Sequence, residues 1–174
     1  MEYIIQDEKI ECKKETLGNY INSYNVKNMQ KVKIKNANKI IFIENKANYI
    51  DYIYNKKEAN EFVIYHGGMY SPTKGEFFKK IYEAANNAQF YHWSDIDIGG
   101  FEIFARLRKI IPELRPHKMD IQAFNSKQAY WKEMKKEYIE KLSKLRKDSE
   151  FDIFKELIDE MLKNGTRLEQ EAFI

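Results

Sequence analysis

Three acidic residues carry the strongest chemical signal in this 174-residue chain. Glu44 directly follows the apolar run Ile40-Ile41-Phe42-Ile43, and Asp95 and Asp97 follow the segment Gln89 to Trp93. Asp-x-Asp spacing on an extended segment points both side chains the same way. Three carboxylates brought together repel one another, and in a low dielectric that is costly unless a cation neutralises them. Their hard oxygens suit magnesium, manganese or calcium, and Mg²⁺ typically keeps several waters and binds substrate phosphates. The bland alternative is a solvated turn at Asp95-Ile96-Asp97 and an ordinary glutamate at a strand end.

Glycines add to this signal because the chain has only seven. Gly99-Gly100 lets the backbone turn sharply behind Asp97, and the N-terminus of the helix that follows favours an anion. His66-Gly67-Gly68 offers a backbone that a phosphate can approach, or else an ordinary tight turn. His92 lies inside a strand-like segment and reads as core; His117 reads as structural or exposed. No Ser-His-Asp or Cys-His arrangement is readable, and neither a Walker A motif nor a dinucleotide fingerprint is present.

The elements that must position these residues alternate. Ile40–Ile43 is β-branched and apolar without alternation, which predicts a strand buried on both faces. Asn45 to Lys57 has helical spacing through Ile50, Ile53 and Tyr54. Phe62–Tyr65 is the next strand. Thr73-Lys74-Gly75-Glu76 reads as a capping box opening a helix to about Asn87. Gln89–Trp93 is the third strand, Phe101–Ile111 a helix ended by Pro112, and Leu114–Met119 a fourth strand. Such alternation predicts right-handed βαβ units and a parallel sheet covered by helices. Ligand sites in open parallel sheets lie beyond the C-terminal strand ends, where Glu44, Asp95 and Asp97 fall. Further on, Ser126 is expected to cap a helix carrying Trp131, Met134, Tyr138, Leu142 and Leu145. Ser149 is expected to cap another, with Asn164-Gly165 as its C-cap. The basic stretches Lys132–Lys136 and Lys141–Lys147 fit either a DNA backbone or a solvated helix face.

Composition narrows the class. Hydrophobic residues make up 43% and charged residues 33% of the chain, and 12 Tyr and 11 Phe argue against disorder. Net charge is +3, which permits an anionic partner without demanding one. Cys12 is the single cysteine, so no internal disulfide or cysteine-built zinc site forms. No apolar run approaches the roughly 20 residues that span a bilayer, and the N-terminus lacks signal-peptide character. The expected compartment is the cytoplasm, with no membrane partner.

Taken together, Ile41-Phe42-Ile43-Glu44-Asn45 and Tyr91-His92-Trp93-Ser94-Asp95-Ile96-Asp97-Ile98-Gly99-Gly100-Phe101-Glu102-Ile103 resemble the Toprim domain. Within that group the chain looks like the C-terminal domains of the JetD family, the nuclease subunits of Wadjet plasmid-defence systems, which are similar to the A subunit of topoisomerase VI. His66-Gly67-Gly68-Met69 matches the group's glycine turn, and Arg167-Leu168-Glu169-Gln170-Glu171-Ala172 its C-terminal signature. The likeness covers Lys39 to Ile174. It implies a Toprim-like, Rossmann-like α/β domain over 39–174 with a parallel sheet of about four strands and a C-terminal helical extension. Residues 1–38 are then an N-terminal extension or the remnant of an upstream domain.

The resemblance also implies phosphodiester chemistry on DNA with Mg²⁺ or Mn²⁺. Glu44 is the expected ligand or general acid/base, Asp95 and Asp97 the expected ligands, and Glu169 or Glu171 the candidates for a second ion. Gly67, Gly68, Gly99 and Gly100, with Lys74, are the candidate phosphate contacts. Two departures stand out: Asn45 replaces a common glycine, and Ile98 a common proline. The topoisomerase relatives carry an upstream winged-helix domain with the nucleophilic tyrosine; about 38 residues precede the first strand here, and none of the tyrosines in the sequence is assigned that role. A DNA-binding domain or partner subunits supplied elsewhere are therefore expected, as is a possible homo-oligomer. Two alternatives stay open: a metal- and DNA-binding or assembly module that does not cut, and a receiver-like phosphotransfer domain with acceptors at Asp95 or Asp97.

Overall fold

The computed structural model describes residues 1–12, 15–85 and 87–174. The helix expected to run to about Asn87 ends at Ala84; Asn86 lies outside the described residues. The weakly patterned N-terminal segment folds into strands β1 (Glu2–Ile5) and β2 (Glu8–Glu11), helix α1 (Ser23–Asn28) and strand β3 (Lys31–Lys33). They form an antiparallel sheet of order β2-β1-β3. Gln6 and Asp7 both take left-handed φ, at 49° and 63°. Two such residues make the tight hairpin turn whose twist matches its strands. Tyr3, Ile5 and Met29 are buried in a small core of their own.

The remaining elements build the domain that holds the acidic residues. In chain order they are β4 (Lys39–Ile43), α2 (Lys46–Asn55), β5 (Glu61–Tyr65), α3 (Pro72–Ala84), β6 (Gln89–Trp93), α4 (Ile98–Arg108) and β7 (Arg115–Pro116). After these come α5 (Ile121–Asn125), β8 (Lys132–Glu133), α6 (Lys136–Leu145), α7 (Lys155–Asn164) and β9 (Thr166–Arg167). Strands β5-β4-β6-β7 form a parallel sheet, as the alternation requires. Ile40, Ile41, Phe42 and Ile43 are all fully buried, which explains their unbroken apolar run.

Ring contacts define two covered faces. Phe42 meets Phe78 of α3, and His92 meets Phe104 of α4. On the opposite face Trp93 meets Tyr52 of α2 and Phe173 of the C-terminal tail. Strand β4 sends its crossover one way to β5, and the next crossover returns past it to β6. The chain therefore reverses its direction of travel between β4 and β6, and ligand sites form beyond such strand ends.

Several local expectations are corrected. Helix α3 starts at Pro72 with Ser71 as its cap, not at a Thr73–Glu76 box: the Ser71 hydroxyl accepts the Lys74 N–H, and proline suits the first helical position. Helix α4 starts at Ile98, because Asp97 caps it. The fourth strand shortens to Arg115–Pro116. Ser126 ends α5 rather than opening a helix; β8 pairs antiparallel with β9, and α6 begins only at Lys136. Asp148, not Ser149, caps a 3-10 turn before α7. Gly165 closes α7 at φ 65°, as expected.

Candidate functional site at the sheet edge

Glu44 and Asp95 come together because β4 and β6 are hydrogen-bonded neighbours in register, Ile43 opposite Trp93. The ladder continues one step further, with the Glu44 N–H donating to the Trp93 carbonyl at 3.0 Å. The Glu44 carboxylate in turn accepts the Asp95 backbone N–H. Its Oε2 is buried and has no hydrogen-bond partner. Burial, then the charges of Asp95 and Asp97, push the Glu44 carboxyl up to about 7. Asp95 is pushed up to about 6, by burial first, and then by Asp97, Glu171 and Glu169 against a lowering hydrogen bond from Gln170.

Asp97 has a structural duty. Its Oδ1 accepts the Gly100 N–H at 2.8 Å, and its Oδ2 faces Arg167 at 3.3 Å. The following glycines are needed for closeness. A Cβ on Gly100 would run into the Asp95 carbonyl oxygen, so only glycine lets α4 start against this loop. The Ile98 N–H donates to the Tyr138 hydroxyl at 2.7 Å. At the next strand end, Gly67 and Gly68 take φ of 58° and 46°. Beneath them His66 is buried and sits 3.3 Å from the Gly68 carbonyl through Nδ1, and Lys74 donates to the His66 carbonyl at 2.7 Å. Lys74 thus stitches this turn together, and the Gly100 N–H is spent on Asp97.

The C-terminal tail completes the site. Ile96 and Leu168 exchange backbone hydrogen bonds of 2.8 and 3.2 Å, which lays the tail beside the Asp-x-Asp loop. The Gln170 N–H donates to Asp95 Oδ1 at 2.7 Å, and its side-chain oxygen accepts the Asn45 N–H at 3.0 Å. Asn48, fully buried, donates to the Gln170 carbonyl at 2.8 Å. Asn45 caps α2 and also donates to Glu171 at 2.6 Å. Glu169 pairs with Lys132 and lies 3.4 Å from Arg167. Sequence reasoning singled out Glu169 and Glu171 but missed Arg167, Gln170, Asn48, Lys132 and Tyr138. Arg167 and Gln170 were inside the C-terminal signature, Lys132 inside a basic stretch read as a DNA-backbone or solvated face, and Tyr138 on an expected helix face; nothing local marked Asn48.

Glu44, Asp95, Asp97, Glu169 and Glu171 therefore share one electrostatic neighbourhood. Among the described residues, however, no three His, Cys, Asp or Glu side chains are close enough to hold an ion as they stand. Each of the five already has a protein partner: Arg167 and the Gly100 N–H on Asp97, Lys132 on Glu169, Asn45 on Glu171, the Gln170 N–H on Asp95, and the Asp95 N–H on the Glu44 carboxylate, whose Oε2 stays free. The donor set still fits a hard divalent cation. Glu44 supplies a buried oxygen without a donor, and among the described residues the upward-shifted Asp95 has no ion-pair partner.

A doubly wound α/β domain with carboxylates where its parallel strands reverse order is the class that this fold and site define. The family model described as "Wadjet protein JetD, C-terminal" matches residues 8–174, and the chain belongs to that family. The Wadjet protein JetD of Bacillus cereus (strain Q1) is 35% identical over 138 residues, covering 78% of this chain and 33% of that protein. The chain thus spans about a third of the length of the curated relative it matches. Among the described residues no helix is long and apolar enough to cross a membrane.

Proposed function

We propose that this domain cleaves DNA phosphodiester bonds with Mg²⁺ or Mn²⁺, as part of Wadjet-type plasmid defence. The observation that carries this reading is the buried, donor-free Glu44 Oε2 beside Asp95, at the point where the strand order reverses. A buried anionic oxygen without a partner is costly, and a divalent cation offsets that cost. When bound, such an ion polarises a phosphate oxygen and generates hydroxide from water. Glu44 and Asp95 would hold it, with Asp97 joining if Arg167 yields its oxygen, and Glu169 or Glu171 serving a second ion. Gln170 and Asn45 fix the tail against β4 and β6, so the carboxylates keep their spacing while substrate enters. DNA grip would come from a DNA-binding domain or from partner subunits supplied elsewhere, this chain matching only 33% of its curated relative.

The test is nicking and linearisation of supercoiled plasmid with Mg²⁺ or Mn²⁺. Wild type should cut, and Glu44→Gln and an Asp95→Ala/Asp97→Ala double variant should lose at least about a hundredfold of the rate. Equal activity in wild type and variants would end the nuclease reading. A second reading is a module that binds or assembles without cutting. It is favoured by the protein partners that already occupy Asp97, Glu169 and Glu171. Calorimetry that detects Mn²⁺ binding, with no turnover on any DNA, would select it.

A further inference from the structure

We propose that Lys56, Lys118 and Lys127 form a separate anion site that takes the phosphodiester backbone of duplex DNA alongside the acidic site. The choice of DNA rests on the function proposed above; the site itself rests on geometry. Lys118 and Lys127 both aim their ammonium groups at the Phe173 ring, each 5.6 Å from its centroid. Lys56 donates to the Phe173 carbonyl at 3.2 Å. Three cations thus converge on one residue, two positions beyond Glu171. Their countercharge is incomplete. Asp51 pairs with Lys56. Among the described residues, Lys118 and Lys127 have no ion-pair partner and rest on aromatic rings: Lys118 lies 4.8 Å from the Trp93 centroid, and Lys127 5.9 Å from that of Tyr130.

Two further features mark Lys118. Its backbone is left-handed at φ 54°, a conformation that non-glycine residues adopt at a cost. Its ammonium is pushed below its ordinary range, by burial first and then by Lys56, with Lys127 adding and Asp51 opposing. A strained backbone therefore holds a positive charge among other positive charges. An anion arriving there relieves the repulsion between them. The position suits a polymer: Lys118 follows β7, the edge strand beside β6, so Lys118 and Asp95 lie just beyond adjoining strand ends, and Lys56 and Lys127 reach the same Phe173 from the end of α2 and from the segment after α5. Tyr130, largely exposed, extends the same surface. Lysines interleaved with aromatic rings match the chemistry of nucleic-acid backbones and bases.

The experiment is fluorescence anisotropy of a labelled duplex titrated with the 174-residue chain in EDTA, across a series of salt concentrations. The Lys118→Gln/Lys127→Gln variant is compared with wild type and with a Lys79→Gln/Lys144→Gln control of equal net charge. The proposal expects the variant to lower the slope of log affinity against log salt by about 2, and to weaken binding roughly tenfold or more, relative to that control. Because Lys118 packs on Trp93, Lys127→Gln alone is measured too, with an expected slope change of about 1. Variants that match the control, or a wild type that does not bind DNA, overturn the proposal. A wild type that binds through these lysines yet never cuts plasmid removes the nuclease reading and leaves this site standing. A wild type that cuts while the lysine variants bind like the control does the reverse.

Discussion

Replacing Glu44 by glutamine isolates the electrostatic cost of the acidic site. In the folded chain the Glu44 carboxyl is raised from an ordinary 4.5 to about 7. The shift is upward, so between those values the folded chain keeps a proton that the unfolded chain has released. Glu44 therefore contributes its full stability below about pH 4.5, loses it progressively as pH rises, and leaves a net penalty above about pH 7. Each pH unit across that window is worth about 1.4 kcal/mol, which would sum to about 3 kcal/mol. The carboxyl is partly open to water, and screening brings this to on the order of 1–2 kcal/mol. In a domain of this size 1 kcal/mol moves the melting temperature by about 2–4 °C.

Glutamine is neutral at every pH, so the variant resembles protonated wild type. In EDTA the melting temperature of Glu44→Gln minus that of wild type should be near zero at pH 5 and about 2–8 °C at pH 8. Taking the difference matters, because burial holds His66 and His117 down near 4 and lowers His92 as well. Those groups add stability as pH rises towards 6.5 and mask the trend in wild type alone; in the difference they cancel. Mn²⁺ should close the gap at pH 8 by stabilising wild type more than the variant. A difference that stays constant from pH 5 to 8, or that shrinks with pH, would refute the reasoning.

Two more substitutions probe neighbouring parts of the site. Gly100→Ala drives a methyl group into the Asp95 carbonyl and should cost at least about 2 kcal/mol in urea unfolding; an unchanged midpoint would show that the loop yields freely. Arg167→Ala releases the Asp97 and Glu169 oxygens it faces, so Mn²⁺ affinity by calorimetry should equal or exceed that of wild type. A tenfold weaker affinity would mean that Arg167 orients the ligands rather than competing for them.

The strands were readable from their β-branched and aromatic runs, unbroken in the fully buried Ile40–Ile43: Lys39–Ile43, Glu61–Tyr65 and Gln89–Trp93 lie within a residue of their expected bounds. Expectations failed where long-range pairing overrode a local period. Trp131, Met134, Tyr138 and Leu142 have helical spacing, yet Lys132 and Glu133 pair with Arg167 and Thr166 instead. The N-terminal strands are four residues or shorter and carry too little pattern to announce a sheet. The start of α4 was masked by Gly99-Gly100, which reads as a turn. In the structure Gly100 sits in the first helical turn because the Asp95 carbonyl leaves no space for a side chain. The strand-end carboxylates were legible from topology alone. Their partners were not, since Arg167 and Gln170 reach Asp97 and Asp95 across 70 and 75 positions.

Those partners also determine which carboxylate an incoming cation meets first. Asp97 is shared between a helix cap and a guanidinium, Asp95 takes the Gln170 N–H, and Glu169 and Glu171 are held by Lys132 and Asn45. Displacing any of these donors costs a hydrogen bond or an ion pair. Glu44 Oε2 has no donor to lose, and the charges of Asp95 and Asp97 that raise its carboxyl would be offset by a cation bound there. A cation should therefore dock at Glu44 and recruit the others afterwards. On this ordering Glu44→Gln abolishes Mn²⁺ binding outright, while Asp97→Asn, which keeps a cap for α4, weakens it only about tenfold. Calorimetric titration of both variants decides the point: the reverse ranking would place Asp97, not Glu44, at the entrance.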